Sequence, residues 1–525
     1  MGNSKSIIAK KRNPQRAGLF PESKQFGFRG YRSNADWWWI GIICVSFFLR
    51  IFRIETLTEF LGDQGRTMLV MRDFLEAGIM PLVGPSTLSG HYLGPVFYYL
   101  LVPGYLGGPV GMSIWVALFG VAAVIAMYET ARLMFGVWPA RLVSLLWAVS
   151  PLIVIADRII WEPNLVPFFA VLYIYLLYRA HLYWRPWVWV ALGSVVGILI
   201  QIHYPNVFFV GLTGVYLVGC MIFRLKNVTH TLKAVLLWSA GLIVMMVPFF
   251  IYEYANGFEN IAGVTSIILG SDGLAQGKRA MLGHVVDYAF RVFGQALPFM
   301  RLTISPWLIS AWVLFIIFRP SKKNLFFSLW FFGGLVSMGK YTEVVYDHYL
   351  NFLTPVPFLF IGSVVYSVRN TLWKNVIYGF VILLCVLQLM QTDVFARGNN
   401  DIARVEAAVT EIKSIVGPDP FSFTLIGSQS YSDLHYRYYM NALHLNPVSF
   451  ADTKYQKFML VCDNEVCPTV NDITTLTQLP ILCYEEHCKE FYPKLPLQKE
   501  WKYQRDLPLR ANGRQLGRLY IFDRQ

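Results

Sequence analysis

The sequence predicts an all-α polytopic membrane protein of about eleven transmembrane helices, with external juxtamembrane helices and a small C-terminal α/β extracytoplasmic domain. Three observations carry that prediction. Of 525 residues, 55% are hydrophobic and only 15% charged, more apolar surface than a water-soluble core can bury. Apolar runs of about 17–23 residues recur as far as residue 391, the length a helix needs to cross roughly 30 Å of hydrocarbon. Lys and Arg then concentrate in alternate loops, as the positive-inside rule requires.

Residues 1–35 form a basic tail with eight Lys or Arg against one Glu. The chain's net charge of +13 invites a nucleic-acid reading, but this placement fits a cytoplasmic N-terminus at anionic lipid heads, with no nucleic-acid partner. The first apolar run, "DWWWIGIICVSFFLRIF", is too long and aromatic for a cleaved signal peptide and is read as a retained span.

Residues 36–391 make the transmembrane domain. Its apolar runs sit at about 36–54, 92–107, 110–130, 138–156, 163–179, 187–203, 206–223, 234–252, 305–319, 324–339, 348–367 and 373–391. The second, "HYLGPVFYYLLVPGYLGG", carries Pro95 and Pro103, which break helices, and a Tyr-rich content that suits the headgroup level or a re-entrant position. Charge supports leaving it uncrossed. The loops "ARLMFGVWPAR", "RAHLYWRPW", "FRLKNVTHTLK", "FRPSKKN" and "SVRNTLWK" then face the cytoplasm with two or three basic residues each. The opposite loops "DRIIWEPN", "HYPN" and "KYTEVVYD" carry one, none and one. Residues 55–109 become a long external loop with juxtamembrane helices, and the expected location is the plasma (inner) membrane.

Residues 392–525 read as an extracytoplasmic α/β domain. "DIARVEAAVTEIKSIVG" places Ile402, Val405, Val409 and Ile412 at helical spacing and stops at Gly417. "FSFTLIG", "KFMLVC" and "RLYIF" read as strands, and "SYSDLHYRYYMNAL" as a second helix. Cys462, Cys467, Cys483 and Cys488 are disulfide candidates in one of three connectivities, with an all-sulfur zinc site as the alternative. Cys44, Cys220 and Cys385 lie in spans and read as packing residues.

Ionisable residues near a membrane core mark function, and here they gather on the external side. The first loop supplies Asp63, Arg66, Arg72, Asp73 and Glu76; the second supplies Asp157, Arg158, Glu162 and Asn164. Gln201 and His203 end the fifth span, and Lys340, Tyr341, Glu343, Asp347, His348 and Tyr349 precede the tenth. Each has a structural alternative. Asp63 reads also as a helix N-cap, although Arg66 stands where a capping-box Glu or Gln would. Asp73 and Glu76 read as a solvated or ion-paired face. Asp157 and Glu162 are open between binding a divalent cation with Asp63, pairing with Arg158 and holding an acceptor; His203 is equally open between site and packing.

The ordered set "GDQGR", "MRDFLEAGIMPLVGP", "GPVFYYLL", "ETARLMFG" and "SPLIVIADRIIWEPN" resembles the C-type (GT-C) membrane glycosyltransferases. The likeness is greatest to family 39, which includes protein O-mannosyltransferase relatives, and to the aminoarabinose transferases. It covers the first 210 residues; "YDHYLNFLTP" resembles a later "HY…P" element, and the C-terminal domain is not covered. The family carries an Asp-Glu pair at the start of a juxtamembrane helix, and the Asp is the catalytic base. Asp63 keeps the first position; Gln64 departs from the second.

The resemblance implies transfer of a monosaccharide from a polyprenyl-phosphate donor to a protein, lipid or glycan acceptor at the outer face. Phosphate leaves without being protonated, so one carboxylate suffices as base, whereas a glycosidase needs two. In-line attack would invert the anomeric centre. Arg66, Arg158, Lys340, Tyr341, His348 and Tyr349 are the donor-phosphate candidates; Asp157, Glu162 and His203 are the acceptor or metal candidates. The polyprenyl-phosphate sugar is the donor substrate; no cofactor is assigned, and a divalent cation stays open. The external segment 253–304, with Lys278, Arg279, Arg291 and Arg301, is a candidate cover for the donor or contact for membrane lipids. Two rival functions share these features: a lipid-linked glycan ligase or polymerase, and a lipid or solute transporter. A transporter predicts matching repeats, which the sequence does not display.

Overall fold

A computed structural model of the chain describes residues 36–87, 90–269, 278–297, 305–339, 341, 344–428, 430, 432–448, 455–467 and 501–524. The basic tail, Arg301, Lys340, Glu343, Cys483, Cys488 and the side chains of Lys278 and Arg279 lie outside the described residues.

A helix falls on every predicted apolar run. Among the described residues, six helical segments are long and apolar enough to cross a membrane: Gly108–Phe135, Glu162–Tyr183, Tyr204–Ile222, Val228–Ala255, Asp347–Ser367 and Thr371–Phe395. Shorter apolar helices stand at Trp37–Ile51, Val96–Tyr105, Val137–Ala148, Pro186–Ile202 and Ile309–Phe318. The chain is a multi-pass membrane protein. The doubtful run near Pro95 folds as the ten-residue helix Val96–Tyr105. At 1.5 Å per residue that is about 15 Å, half the hydrocarbon thickness.

Local chemistry sets the helix ends. Asp36 caps the first helix by accepting from the Trp39 amide at 3.3 Å. The same carboxylate accepts from Arg141 at 2.7 Å and the Tyr128 hydroxyl at 3.0 Å, which ties the first helix to its two neighbours. The run at 138–156 is split in two, because Pro151 opens a new helix, Pro151–Ala156, and has no N–H to continue the old one. Helices Pro186–Ile202 and Val228–Ala255 touch backbone to backbone. A Cβ on Gly193 would lie 1.8 Å from the Trp238 carbonyl oxygen, and one on Gly241 2.0 Å from that of Val190.

The segment expected as an external loop at 253–304 contains helices Glu259–Leu269 and Lys278–Ala296. Tyr288, Ala289, Val292, Phe293 and Ala296 are buried, the spacing of one helical face.

The C-terminal domain follows the expected order and adds a strand. Helix Asp401–Val416 buries Ile402, Val405, Val409 and Ile412 and ends at Gly417, where φ is +56°. Strands β1 (Phe421–Ile426), β2 (Lys457–Cys462), β3 (Trp501–Ala511) and β4 (Arg514–Arg524) form one sheet in the order β1-β2-β4-β3. β1 and β2 are parallel, joined through helix Leu434–Ala442; the other pairs are antiparallel. The unexpected β3 is an edge strand whose polar sequence hides its period. Its partner is reached through Asn512–Gly513, both at positive φ, as a two-residue hairpin turn requires. Cys462 and Cys467 form a disulfide, which removes the zinc alternative for this pair. Cys220 and Cys385 are buried, as packing residues should be, whereas Cys44 is exposed on the first helix.

Candidate active site

Three successive backbone amides lead into the turn that presents Asp63, and each finds a side-chain partner. Helix Gly62–Leu75 has Leu61 at its N-cap position, so Asp63 is not the cap. The Phe60 amide donates to Asp401 Oδ2 at 3.3 Å, the Leu61 amide to Gln64 Oε1 at 2.9 Å, and the Gly62 amide to Ser430 Oγ at 2.8 Å. The alternative reading of Asp63 as the cap is therefore corrected: the buried Gln64 accepts from the Leu61 amide in its place. The Asp63 side chain stays 50% exposed, with Arg66 Nη1 3.1 Å from its Oδ1.

Gly62 and Gly65 let this helix dock on the C-terminal domain. A Cβ on Gly65 would lie 2.2 Å from the His435 amide nitrogen, and one on Gly62 2.1 Å from Ser432 Oγ. Of the "GDQGR" glycines, Gly65 thus meets the start of helix Leu434–Ala442 and Gly62 meets Ser430 and Ser432 just before it.

Three residues surround Asp63. Glu162 and Tyr98 lie within electrostatic reach of Asp63 and Arg66. Glu59, which sequence reasoning passed over, sits one turn before the helix. Burial, with the Asp401 and Asp63 carboxylates adding to it, pushes its carboxyl up from 4.5 to about 7. Its position next to an apolar run gave no signal, because the carboxylate that raises it comes from residue 401.

Asp157 and Arg158 separate. Asp157 pairs with Arg50 Nε at 2.8 Å, not with Arg158, and Arg50 also donates to the Ala148 carbonyl at 3.0 Å and Ser46 Oγ at 3.1 Å. Both are buried, so Asp157 is occupied in joining the first helix to the 148–157 segment. This corrects its candidacy for acceptor or metal. Arg158 is 1% exposed and pairs with Asp393, near the end of the last long helical segment. Its Nε and Nη1 have no hydrogen-bond partner among the described residues. Thr58 Oγ1 donates to the Arg158 carbonyl at 2.8 Å, which places this arginine beside the start of the Asp63 loop.

The later candidates converge on an aromatic cluster. His348 lies 4.5 Å from Trp161, 5.4 Å from His203 and 4.7 Å from Tyr349, centroid to centroid. His203 also meets Tyr349 at 4.8 Å, and Tyr341 follows at 6.2 Å from Tyr349. Trp161 precedes Glu162 directly, so this cluster and the Asp63 group share one loop. Arg291 closes the far side, pairing with Asp347 at 2.6 Å and donating to the Val345 carbonyl at 2.8 Å. Asp73 pairs with Arg72 at 3.1 Å, whereas Glu76 is in no ion pair among the described residues and accepts from the Tyr105 hydroxyl at 2.6 Å.

Among the described residues, no three His, Cys, Asp or Glu side chains converge at metal-binding spacing. A cleft of about 190 Å³ lies between Gly94, Gln201, Tyr204, Met246, Phe249 and Ile261. Gln201 donates there to the Met245 and Gly197 carbonyls, a packing role at the wall.

Known proteins match the same architecture. Residues 106–269 match the family model described as dolichyl-phosphate-mannose-protein mannosyltransferase. No curated protein matches the chain in sequence. ArnT from Cupriavidus metallidurans bound to undecaprenyl phosphate superposes with a TM-score of 0.60 at 14% identity, covering 93% of this chain and 98% of that one. The Archaeoglobus fulgidus oligosaccharyltransferase in complex with Zn and sulfate superposes at 0.50 and 12% identity, covering 89% and 71%. At such identities the likeness is one of fold. The chain is a multi-pass membrane protein of the C-type glycosyltransferase fold.

Proposed function

We propose that this protein moves a monosaccharide from a polyprenyl-phosphate donor to an acceptor hydroxyl at the extracytoplasmic face, with Asp63 as general base and inversion at the anomeric carbon. The observation that carries the reading is the state of Asp63. Its helix is capped by other groups, so its carboxylate is free to face solvent beside a guanidinium. One carboxylate takes the acceptor's proton as the oxygen attacks; phosphate departs unprotonated. Positive charge must meet the phosphate as its charge grows, and Arg66 and the unsatisfied N–H groups of Arg158 offer it. His348, Tyr349 and Tyr341 supply further donors from the aromatic cluster. Lys340 belongs to the same segment of chain. The family-matched region and the bound undecaprenyl phosphate of the ArnT structure support a lipid-phosphate donor.

The reading carries a topology of about eleven crossings, with the N-terminus cytoplasmic and the C-terminal domain outside, in a plasma membrane. Asp63→Asn tests the base: turnover is lost while a polyprenyl-phosphate sugar, followed by mass spectrometry of copurified lipid, still binds. Full transfer by that variant would sink the assignment. Thiol labelling of residues 62–66 from outside intact cells tests the side.

A further inference from the structure

Two backbone amides flank the entry to the Asp63 helix, and both lead to one buried carboxylate in the C-terminal domain. On one arm, the Phe60 amide donates to Asp401, and Asp401 Oδ1 accepts from Arg404 Nη2 at 2.9 Å. Arg404 Nε in turn pairs with Asp463 Oδ1. On the other arm, the Gly62 amide donates to Ser430 Oγ. The Ser430 amide donates to Ser428 Oγ at 3.0 Å, and Ser428 Oγ donates to Asp463 Oδ2 at 2.7 Å. The Tyr436 hydroxyl donates to Asp463 Oδ1 at 2.9 Å, and His435 Nε2 lies 3.8 Å from Oδ2.

Asp463 is itself fixed. Its amide donates to the Ile426 carbonyl at 2.9 Å, and it lies inside the short loop closed by the Cys462–Cys467 disulfide. Every side chain on both arms is buried. Two polar arms that begin on alternate amides of one turn and end on one carboxylate constrain that turn's direction as well as its position. A sheet domain needs no such link merely to stay attached, since Gly65 already packs on the start of helix Leu434–Ala442.

We propose that Asp463 is a positioning residue, which acts through Arg404–Asp401 and through Ser428–Ser430 to aim the Asp63 carboxylate. The role rests on reading Asp63 as the base. The C-terminal domain is then part of the catalytic apparatus, although it holds none of the reacting groups.

The test combines Asp463→Asn with Ser430→Ala, the second removing one arm without touching a buried charge. Hydrogen exchange of the peptide spanning residues 58–66 is read in the purified full-length protein, with undecaprenyl phosphate affinity and transfer turnover. Both variants are expected to speed exchange in that peptide and to leave undecaprenyl phosphate affinity unchanged. Turnover falls about 10–100-fold for Asp463→Asn, as small misplacements of reacting groups do, and a few-fold for Ser430→Ala. Unchanged exchange in residues 58–66 for both variants overturns the proposal. So does faster exchange spread evenly over β1, β2 and β4, which would mean that Asp463 only holds the sheet together. Asp63→Asn serves as the control: if it retains transfer, the reading of the base fails, while the exchange result still decides whether Asp463 orders the turn.

Discussion

Two carboxylates, Asp63 and Asp157, stand beside arginines on the same side of the molecule and have opposite fates. Asp157 is buried against Arg50, a pair held by further bonds to Ser46 and the Ala148 carbonyl. Asp63 meets Arg66 at a similar distance, 3.1 Å, but in half-exposed surroundings. The difference lies in who else is available. In the first pair the partners are locked by packing and neither can exchange its partner for a substrate. In the second, water screens the attraction and the pair opens at little cost. A charge pair near a membrane therefore says little about function until its burial is known.

Experiments can break the comparison, beginning where the largest effect is expected. Asp63→Asn should lower transfer turnover about 10²–10⁴-fold, the usual worth of a positioned base, with an unchanged melting midpoint. Asp157→Asn should do the reverse. It leaves Arg50 buried without its counter-charge, at about 3–5 kcal/mol, read as a lower midpoint of the detergent-solubilised protein. Replacing both, as Arg50→Met with Asp157→Leu, should recover most of that loss.

Glu59 sharpens the contrast through pH. The folded protein keeps its proton up to about 7, whereas the unfolded chain loses it near 4.5. Stability therefore falls as pH rises through that window. Glu59→Gln should flatten the slope and add about 1–2 kcal/mol above the upper value, after allowance for partial exposure. A slope that persists in the variant assigns the proton elsewhere. Asp73→Asn, in the exposed pair with Arg72, should change stability by less than about 0.5 kcal/mol and leave turnover alone.

Much of this architecture was legible. Hydrophobic length located each membrane helix, because hydrocarbon thickness sets a single scale. The 3.6-residue period picked the buried face of Asp401–Val416, and Gly417 marked its end. Strand β3 was not legible: on an edge strand, half the side chains meet water and the alternation is lost among Lys, Gln, Arg and Asp. The Asn512–Gly513 turn was the available clue.

The site divides in the same way. The chain order of Asp63, Arg66 and the 157–164 loop marked the charged face before any coordinates. The partners of those residues are distant in sequence: Arg50 for Asp157, Asp393 for Arg158, Asp401 and Ser430 for the turn before Asp63. Local pattern cannot reach partners 107 to 368 residues away, so neither the docking of the Asp63 turn nor the pairing of Asp157 could be read from it.

By itself, then, the sequence determined the membrane class, the helix positions and the order of the C-terminal elements, because those follow from local hydrophobicity and backbone preference. Tertiary structure alone decided which charges are buried in ion pairs and which stay exposed. Burial and long-range partners set that division, and neither exists until the chain has folded.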